Sequence, residues 1–272
     1  MPELPDVEGF RAVFESCATG RTVRHVEVRD TGVLHGVSAR GLHDALEGRR
    51  FTGAQRHGKW LLARTGGPTL LLHFGMTGRL LCCRPDDPLH PHDRVLFTLS
   101  RGHRLRYRDQ RKLKGLWLAH DEEGVAGLLG RQGPDALTVD REGFDAALAA
   151  RRGSVKTALT DQTVLAGLGN LLADEILWRS RLRPTHPVPD LTAADRRRLH
   201  TDMRRTLRAA VPEGRVPPRG SWLTGHRDDP DAVCPRCGTG LRRGRTGGRG
   251  TVWCPRCQPE DAGAQRTGNP KE

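Results

Sequence analysis

Pro2 and Glu3 stand near the head of the chain, in Met1-Pro2-Glu3-Leu4-Pro5-Asp6-Val7-Glu8. Removal of the initiator methionine would leave Pro2 as the terminus, a secondary amine. An α-amino group has an unperturbed pKa of about 8, against about 10.4 for lysine, so much more of it is the neutral nucleophile at pH 7. Attack on the anomeric carbon of a sugar would give an iminium ion, which stays positively charged and withdraws electrons. Glu3 follows at once, within reach to move protons at that carbon. A Met-Pro start is common, and these two residues alone decide nothing.

Of the seven cysteines, four form Cys234-x-x-Cys237 and Cys254-x-x-Cys257. Two such knuckles predict a tetrahedral Cys₄ site holding one structural Zn²⁺. Disulfides within these pairs suit a secreted chain, and the acidic Glu3 and Asp6 do not suit a signal peptide. Cys17, Cys82 and Cys83 lie on apolar patterns and read as core fillers.

With 45 Lys+Arg against 32 Asp+Glu, the formal charge is +13. That balance favours a polyanion, nucleic acid or an anionic membrane. No apolar run approaches the roughly 20 residues that span a bilayer, so a soluble cytoplasmic protein bound to DNA or RNA is expected. Aromatics are only 4%, which disfavours a single-strand binder built on stacking platforms.

The elements that must position Pro2 and Glu3 follow from periodicity. Val7, Phe10, Val13, Phe14 and Cys17 recur at helical spacing, so a helix starts just behind Pro2. From Thr22 to about Leu118 the period shortens to two, with turns at Gly66-Gly67, Pro85 to Pro91 and Arg101-Gly102. This predicts an antiparallel β-sandwich with the first helix packed on it. Three segments there carry polar residues that a sheet does not require: His57–Leu62 around Lys59, His73–Gly78 around Met76, and Arg108–Leu113 around Arg111. An ordinary surface lysine or core methionine would account for each singly, but a Gly75-Met76-Thr77-Gly78 turn puts Met76 on a loop tip. Residues 120–140 read as loop, with the domain boundary near 130.

Helical spacing then returns, with Phe144, Ala147 and Leu148 on one face. A later helix carries Leu199, Met203, Leu207 and Val211, begun by a Thr192/Asp195 capping box. Its arginines, Arg197, Arg198, Arg204, Arg205 and Arg208, suit a solvated face or one that tracks phosphates. Between these helices, Gly167-x-Gly169-Asn170 breaks one helix and starts another, with Asn170 at an N-cap position. Free amides at that start would make an anion site for a phosphate. Residues 217–230 read as a linker, 226–260 as a zinc ribbon, and 261–272 as a disordered tail.

Together these stretches resemble the formamidopyrimidine-DNA glycosylase/endonuclease VIII family of bifunctional base-excision repair enzymes. The resemblance runs over about residues 2–258. It rests on Pro2-Glu3-Leu4-Pro5-x-Val7-Glu8, on Asp161-Gln162 through Gly167-Leu168-Gly169-Asn170 and Ala173-Asp174-Glu175-Ile176-Leu177, and on Arg249-x-Thr251 ahead of Cys254-Pro255-x-Cys257-Gln258. It implies an α+β chain in three folded parts: an N-terminal β-sandwich catalytic domain (1–130), a helix–two-turn–helix domain (131–225) and a Cys₄ finger (226–260).

The resemblance also assigns roles. Pro2 would be the nucleophile and Glu3 the general acid/base. Lys59, Asn170 and Arg249 would grip phosphates around the lesion. Met76, Arg111 and Leu113 would fill the hole left by a flipped nucleotide, and Lys156 would lie near it. The partner would be duplex DNA with damaged bases or abasic sites, met by a monomer associated with the nucleoid. A non-catalytic damaged-DNA binder is the alternative within the family, and a zinc-ribbon RNA factor the alternative outside it.

Four departures stand out. Asp6 replaces a usual glutamate, Leu113 a frequent phenylalanine, and Lys114 the glycine that normally follows. The stretch from Arg219 to Val233 lacks the longer loop that 8-oxoguanine-type relatives close over a flipped purine. It implies weaker action on 8-oxoguanine than on ring-opened purines or oxidised pyrimidines.

Overall fold

The computed structural model describes residues 1–260; the expected disordered tail lies outside them. Helix α1 (Leu4–Cys17) buries Leu4, Val7, Phe14 and Cys17, the face that the spacing predicts. Strand β1 (Val23–Val28) and helix α2 (Ala39–Leu46) follow. Next come β2 (Phe51–His57), β3 (Trp60–Thr65), β4 (Thr69–His73) and β5 (Arg79–Cys83). The domain's last strands are β6 (Asp93–Leu99), β7 (His103–Arg108) and β8 (Leu116–Ala119). They form two four-stranded antiparallel sheets, β1-β6-β7-β5 and β2-β3-β4-β8.

The alternating residues Val95/Phe97/Leu99 and Leu105/Tyr107 of one sheet share a core with Leu61, Leu70 and Leu72 of the other, and with α1. This is the expected sandwich. The second sheet also buries its outer face: Leu62 and Leu71 meet Ala119 and Val125. Val125 belongs to α3 (Glu122–Leu129), so the loop expected from 120 is in part a helix. Asp121 caps it by accepting from the Gly124 amide at 2.7 Å, and Glu122 and Glu123 favour its positive end. The glycine spacing concealed the cap. α2 was hidden in the same way, inside a stretch read as strand throughout.

The second domain holds α4 (Arg141–Ala149), α5 (Val155–Thr160), α6 (Asn170–Arg179) and α7 (Ala193–Ala210). The Thr192/Asp195 capping box starts α7 as expected, and Leu199, Met203 and Leu207 are fully buried beneath it. Part of its arginine face works internally, since Arg198 donates to Ser180 O and Arg204 to Val139 O. Residues 217–230 are not a free linker. Trp222 and Leu223 are buried, the Thr224 amide donates to Glu175 Oε2 at 3.1 Å, and Arg179 lies over the Trp222 ring. The chain then enters the hairpin β9 (Arg242–Thr246) and β10 (Arg249–Trp253). Among the described residues no helix is long and apolar enough to cross a membrane.

Two side-chain ties hold α1 in place. Arg56 of β2, almost wholly buried, donates to Glu8 at 2.6 Å and to Asp135 at 2.5 and 2.8 Å. It thereby joins α1 and the sandwich to the segment that leads into the second domain. The other tie corrects the sequence reading. Cys17, the last residue of α1, is disulfide-bonded to Cys82 of β5 across 65 residues of chain, while Cys83 is free. Cys17 is a core residue but Cys82 is exposed, and apolar neighbours along the sequence could not show that the two meet.

In the chain-entropy picture, closing a loop of this length stabilises by about 4 kcal/mol. A non-chelating phosphine reductant should therefore lower the melting temperature of the wild type and leave that of Cys82→Ser unchanged. A wild-type melt indifferent to reductant would show free thiols.

Candidate active site

Glu3 is 1% exposed and reaches across the domain boundary. Its carboxylate accepts from the amides of Gly169 at 2.9 Å, Leu171 at 2.8 Å and Leu172 at 3.1 Å. These are amides at the start of α6, which have no partner within the helix. The N-cap is Gly169, extended at φ −122°, and Asn170 is the first helical residue. Both sequence expectations thus change: Asn170 does not cap the helix, and the anion seated on these amides is Glu3 rather than a phosphate.

The Gly-x-Gly spacing is what admits it. A Cβ on Gly169 would come within 2.3 Å of the Glu3 carboxyl carbon. One on Gly167, held at φ +110°, would lie 2.6 Å from Leu4. The Leu4 amide donates to Gly167 O at 3.0 Å and completes the seam. Burial raises the Glu3 pKa, against the pull of Lys59 and the three amides. The shift carries the carboxyl toward neutrality, where one group can both give and take a proton. Burial likewise lowers the Lys59 ammonium, with Glu3 opposing and Arg249 reinforcing.

Pro2 lies beside this seam, behind a half-exposed Met1. A cavity of about 620 Å³ opens there, with Asp6, Met76, Arg79, Arg108 and Arg215 on its wall. Asp6 accepts from the Glu3 amide at 2.9 Å, and burial raises its pKa in spite of that bond.

Met76, 40% exposed, sits on a turn whose Gly75 amide donates to His73 Nδ1 at 3.1 Å. Burial, with Lys114 and Lys59 adding to it, pushes His73 down to about 4, so the ring stays neutral and can accept that bond. Arg111 approaches the Met76 sulfur at 3.0 Å, and Leu113 is 50% exposed. The structure thus brings Met76 and Arg111 into contact and leaves Leu113 exposed on the same loop as Arg111. Buried Asp109, which sequence reasoning passed over, accepts from Thr77 Oγ1 and from the Arg111 amide and ties the two loops together.

Asn170, Lys156 and Arg249 meet at the β9–β10 hairpin. Asn170 Nδ2 donates to Gly250 O at 2.9 Å, Lys156 Nζ at 3.0 Å, and Arg227 at 2.9 Å. Arg249, one residue earlier, is exposed. Lys156 is fully buried, bonded also to Thr251 Oγ1 at 2.8 Å and paired with Asp174 Oδ1 at 2.6 Å. It sits behind the hairpin, and burial, with Arg227 and Arg249 adding to it, pushes its pKa down to about 7. Arg227, which also pairs with Asp174, was missed because it fell in the presumed linker. Asp174 was in view, inside the helix signature.

The four ribbon cysteines are free and their sulfurs lie within 4.8 Å of one another. Cys234 and Cys257 are 3.9 Å apart, and Cys237 and Cys254 3.5 Å. A tetrahedral zinc with 2.3 Å Zn–S bonds needs sulfurs about 3.8 Å apart, so the set fits one structural zinc. Trp178 Nε1 and the Cys257 amide point at the sulfurs of Cys234 and Cys254, as outer partners of a metal site do.

The close approach at Gly169 generates a prediction. Gly169→Ala should cost about 1–3 kcal/mol through overpacking and expose the 130–135 segment to limited proteolysis. A melt and a proteolytic pattern identical to wild type would show that Glu3 does not need the contact.

Three family descriptions match the chain in order. Residues 1–116 match the formamidopyrimidine-DNA glycosylase N-terminal domain, 130–217 its H2TH domain, and 233–259 a zinc finger found in FPG and IleRS. The formamidopyrimidine-DNA glycosylase of Symbiobacterium thermophilum is 37% identical, over 97% of this chain and 91% of the relative. That of Heliobacterium modesticaldum is 36% identical, over 95% and 100%. Among solved structures, Lactococcus lactis Fpg in complex with abasic-site DNA superposes with a TM-score of 0.85 at 26% identity, covering 95% of this chain and 100% of that one. A complex of the Lactococcus lactis protein with FAPY-dG DNA gives the same score, identity and coverage. With its cross-domain carboxylate, its paired loops and its Cys₄ ribbon, the chain belongs to the formamidopyrimidine-DNA glycosylase family.

Proposed function

We propose that this protein excises oxidised or ring-opened bases from duplex DNA and then cleaves the abasic strand. The observation that carries the proposal is Glu3, buried at the seam of the two domains, immediately after Pro2. Once Met1 is gone, the Pro2 nitrogen attacks the anomeric carbon and the bond to the base breaks. Glu3, drawn toward neutrality by burial, protonates the ring oxygen as the sugar opens to the iminium. The iminium acidifies the adjacent carbon. Loss of that proton expels the 3′ phosphate, and a second elimination expels the 5′ phosphate.

The remaining residues serve positioning. Met76, Arg111 and Leu113, on two loops tied through Asp109, fill the gap left by the flipped nucleotide. Flipping costs a few kcal/mol, least at a damaged pair, which supplies part of the selectivity. The cavity beside Pro2 suits the extruded base. Lys59, Asn170 and Arg249 hold phosphates, and Lys156 holds the hairpin from which Arg249 projects. The zinc is structural, since four cysteines leave no open position for water. Trp222 and Leu223, both within the 219–233 stretch, are buried against the protein, which supports weaker cover for a flipped 8-oxoguanine. Ranking single-lesion duplexes under single-turnover conditions tests that choice of lesion.

Borohydride tests the reaction itself. With abasic-site DNA it should freeze the iminium as a protein–DNA crosslink that maps to Pro2. A tag left in front of Pro2 makes its nitrogen an amide and should abolish trapping while DNA binding persists. Glu3→Gln should cripple base removal yet still permit some trapping of a preformed abasic site. A crosslink at Lys59 or Lys156, or full activity behind an uncleaved tag, would sink the assignment.

Phosphate contacts release counterions, so affinity for duplex DNA should fall with salt at a log–log slope of roughly −0.9 per phosphate neutralised. Arg249→Ala should flatten that slope by about one unit. A slope equal to wild type would remove Arg249 from the phosphate contacts.

A further inference from the structure

A second cluster of metal-ligating side chains lies where the end of α2 meets β1. His25 of β1, His43 of α2 and Glu47 just beyond α2 bring one ligand atom each within 4.8 Å of one another. His25 Nδ1 is 2.8 Å from Glu47 Oε1, and His43 Nε2 is 3.0 Å from Glu47 Oε2. The imidazole planes stand at 79°, with ring centroids 6.2 Å apart. The carboxylate is held from behind by the Val26 amide, which donates to Oε1 at 2.7 Å. The His43 ring is gripped a second time, with Nδ1 3.1 Å from Asp44 Oδ1. Exposed Arg40 lies 3.5 Å from the other oxygen of Asp44.

The plain account is a pair of exposed ion pairs, worth between nothing and about 1 kcal/mol each. The proton count makes that account incomplete. His43 has a carboxylate oxygen at each ring nitrogen, whereas a neutral imidazole offers one N–H and one lone pair. In the neutral ring, one contact therefore sets a lone pair against a carboxylate oxygen. A second proton on the ring removes the conflict, and so does a cation between Nε2 and Glu47. A carboxylate on Nδ1–H, with Nε2 aimed at a shared point, is how metal-binding histidines are held in the ligating tautomer. Two imidazoles and one carboxylate form a donor set suited to a divalent transition ion, zinc above all.

We propose that His25, His43 and Glu47 form a second zinc site, with Asp44 as a positioning residue and water completing the shell. Tetrahedral ligands at the usual Zn–N and Zn–O lengths lie about 3.4 Å apart. His25 Nδ1 and His43 Nε2 face different oxygens of Glu47, and the three ligand atoms lie within 4.8 Å of one another, so an ion would draw both imidazoles onto one carboxylate by side-chain rotation. The side chains of His25 and His43 are 57% and 45% exposed, so this ion lies open to solvent. Its seat joins α2 to β1, an edge strand of its sheet.

The test starts from full-length protein shown by native mass spectrometry to carry one zinc, in the ribbon. Calorimetric titration with zinc chloride at pH 7.5 should show one further ion per chain. His25→Ala/His43→Ala should lose that uptake, and Asp44→Asn should weaken it several-fold. The double variant should keep its ribbon zinc, its melting temperature without added metal and its strand cleavage. No uptake beyond the ribbon zinc overturns the proposal, as does uptake that survives the double substitution.

Discussion

The carboxylate of Glu3 seated on the first amides of α6 is the contact on which the rest of the structure depends. It joins residues more than 160 positions apart in sequence, and it supplies the partners that a helix start otherwise seeks in its own N-cap side chain or in water. Gly169 has no side chain to offer. The placing of a carboxylate near the amino terminus and the capping of a helix in the other domain are therefore one interaction. Leu4 and Gly167 close the seam by backbone contact, and Arg56 locks α1 to Asp135 from the opposite side. Burial alone would raise Glu8 and Asp135, but Arg56 more than offsets it and holds both below the usual carboxylate range. That tie is at full strength at neutral pH and is lost as the pH falls through those lowered values.

The excess of positive charge is spread unevenly between structure and surface. Arg56 and Lys156 spend theirs indoors, each against a buried carboxylate. Arg249 keeps its own outside. Between Lys156 and Arg249 lies the Gly250 carbonyl, which draws Asn170, Lys156 and Arg227 together. The zinc fixes one end of the ribbon, and this carbonyl fixes the other. The position of Arg249 thus answers to residues on α5, α6 and the segment before the ribbon.

Much of this was legible in the sequence. Period two and helical spacing located the sandwich, α1, α4 and α7, because each buries one continuous face. The cysteine knuckles identified the zinc set, because tetrahedral geometry constrains spacing within each pair. What was misread depends on contacts between distant parts. Nothing local in Gly167-x-Gly169-Asn170 shows that a glutamate from the other domain will occupy the helix start. The hold of Lys156 on the hairpin was hidden because Gly250 and Thr251 lie more than 90 residues along the chain. Cys17 and Cys82 looked like separate core residues for the same reason. Trp222 and Leu223 sat among prolines and glycines that read as a linker, though they fold back onto α6.

The glycine-permitted seam has a consequence for partly folded molecules. A terminal proline is reactive wherever a free secondary amine meets an aldehyde, and it needs no folded protein for that. Glu3 has its raised pKa and its fixed place on the α6 amides only while the two domains are docked. A nascent or damaged chain in which they have separated keeps the amine but loses the placed acid. On the proposed roles of Pro2 and Glu3, the docking of the two domains serves as the safety catch.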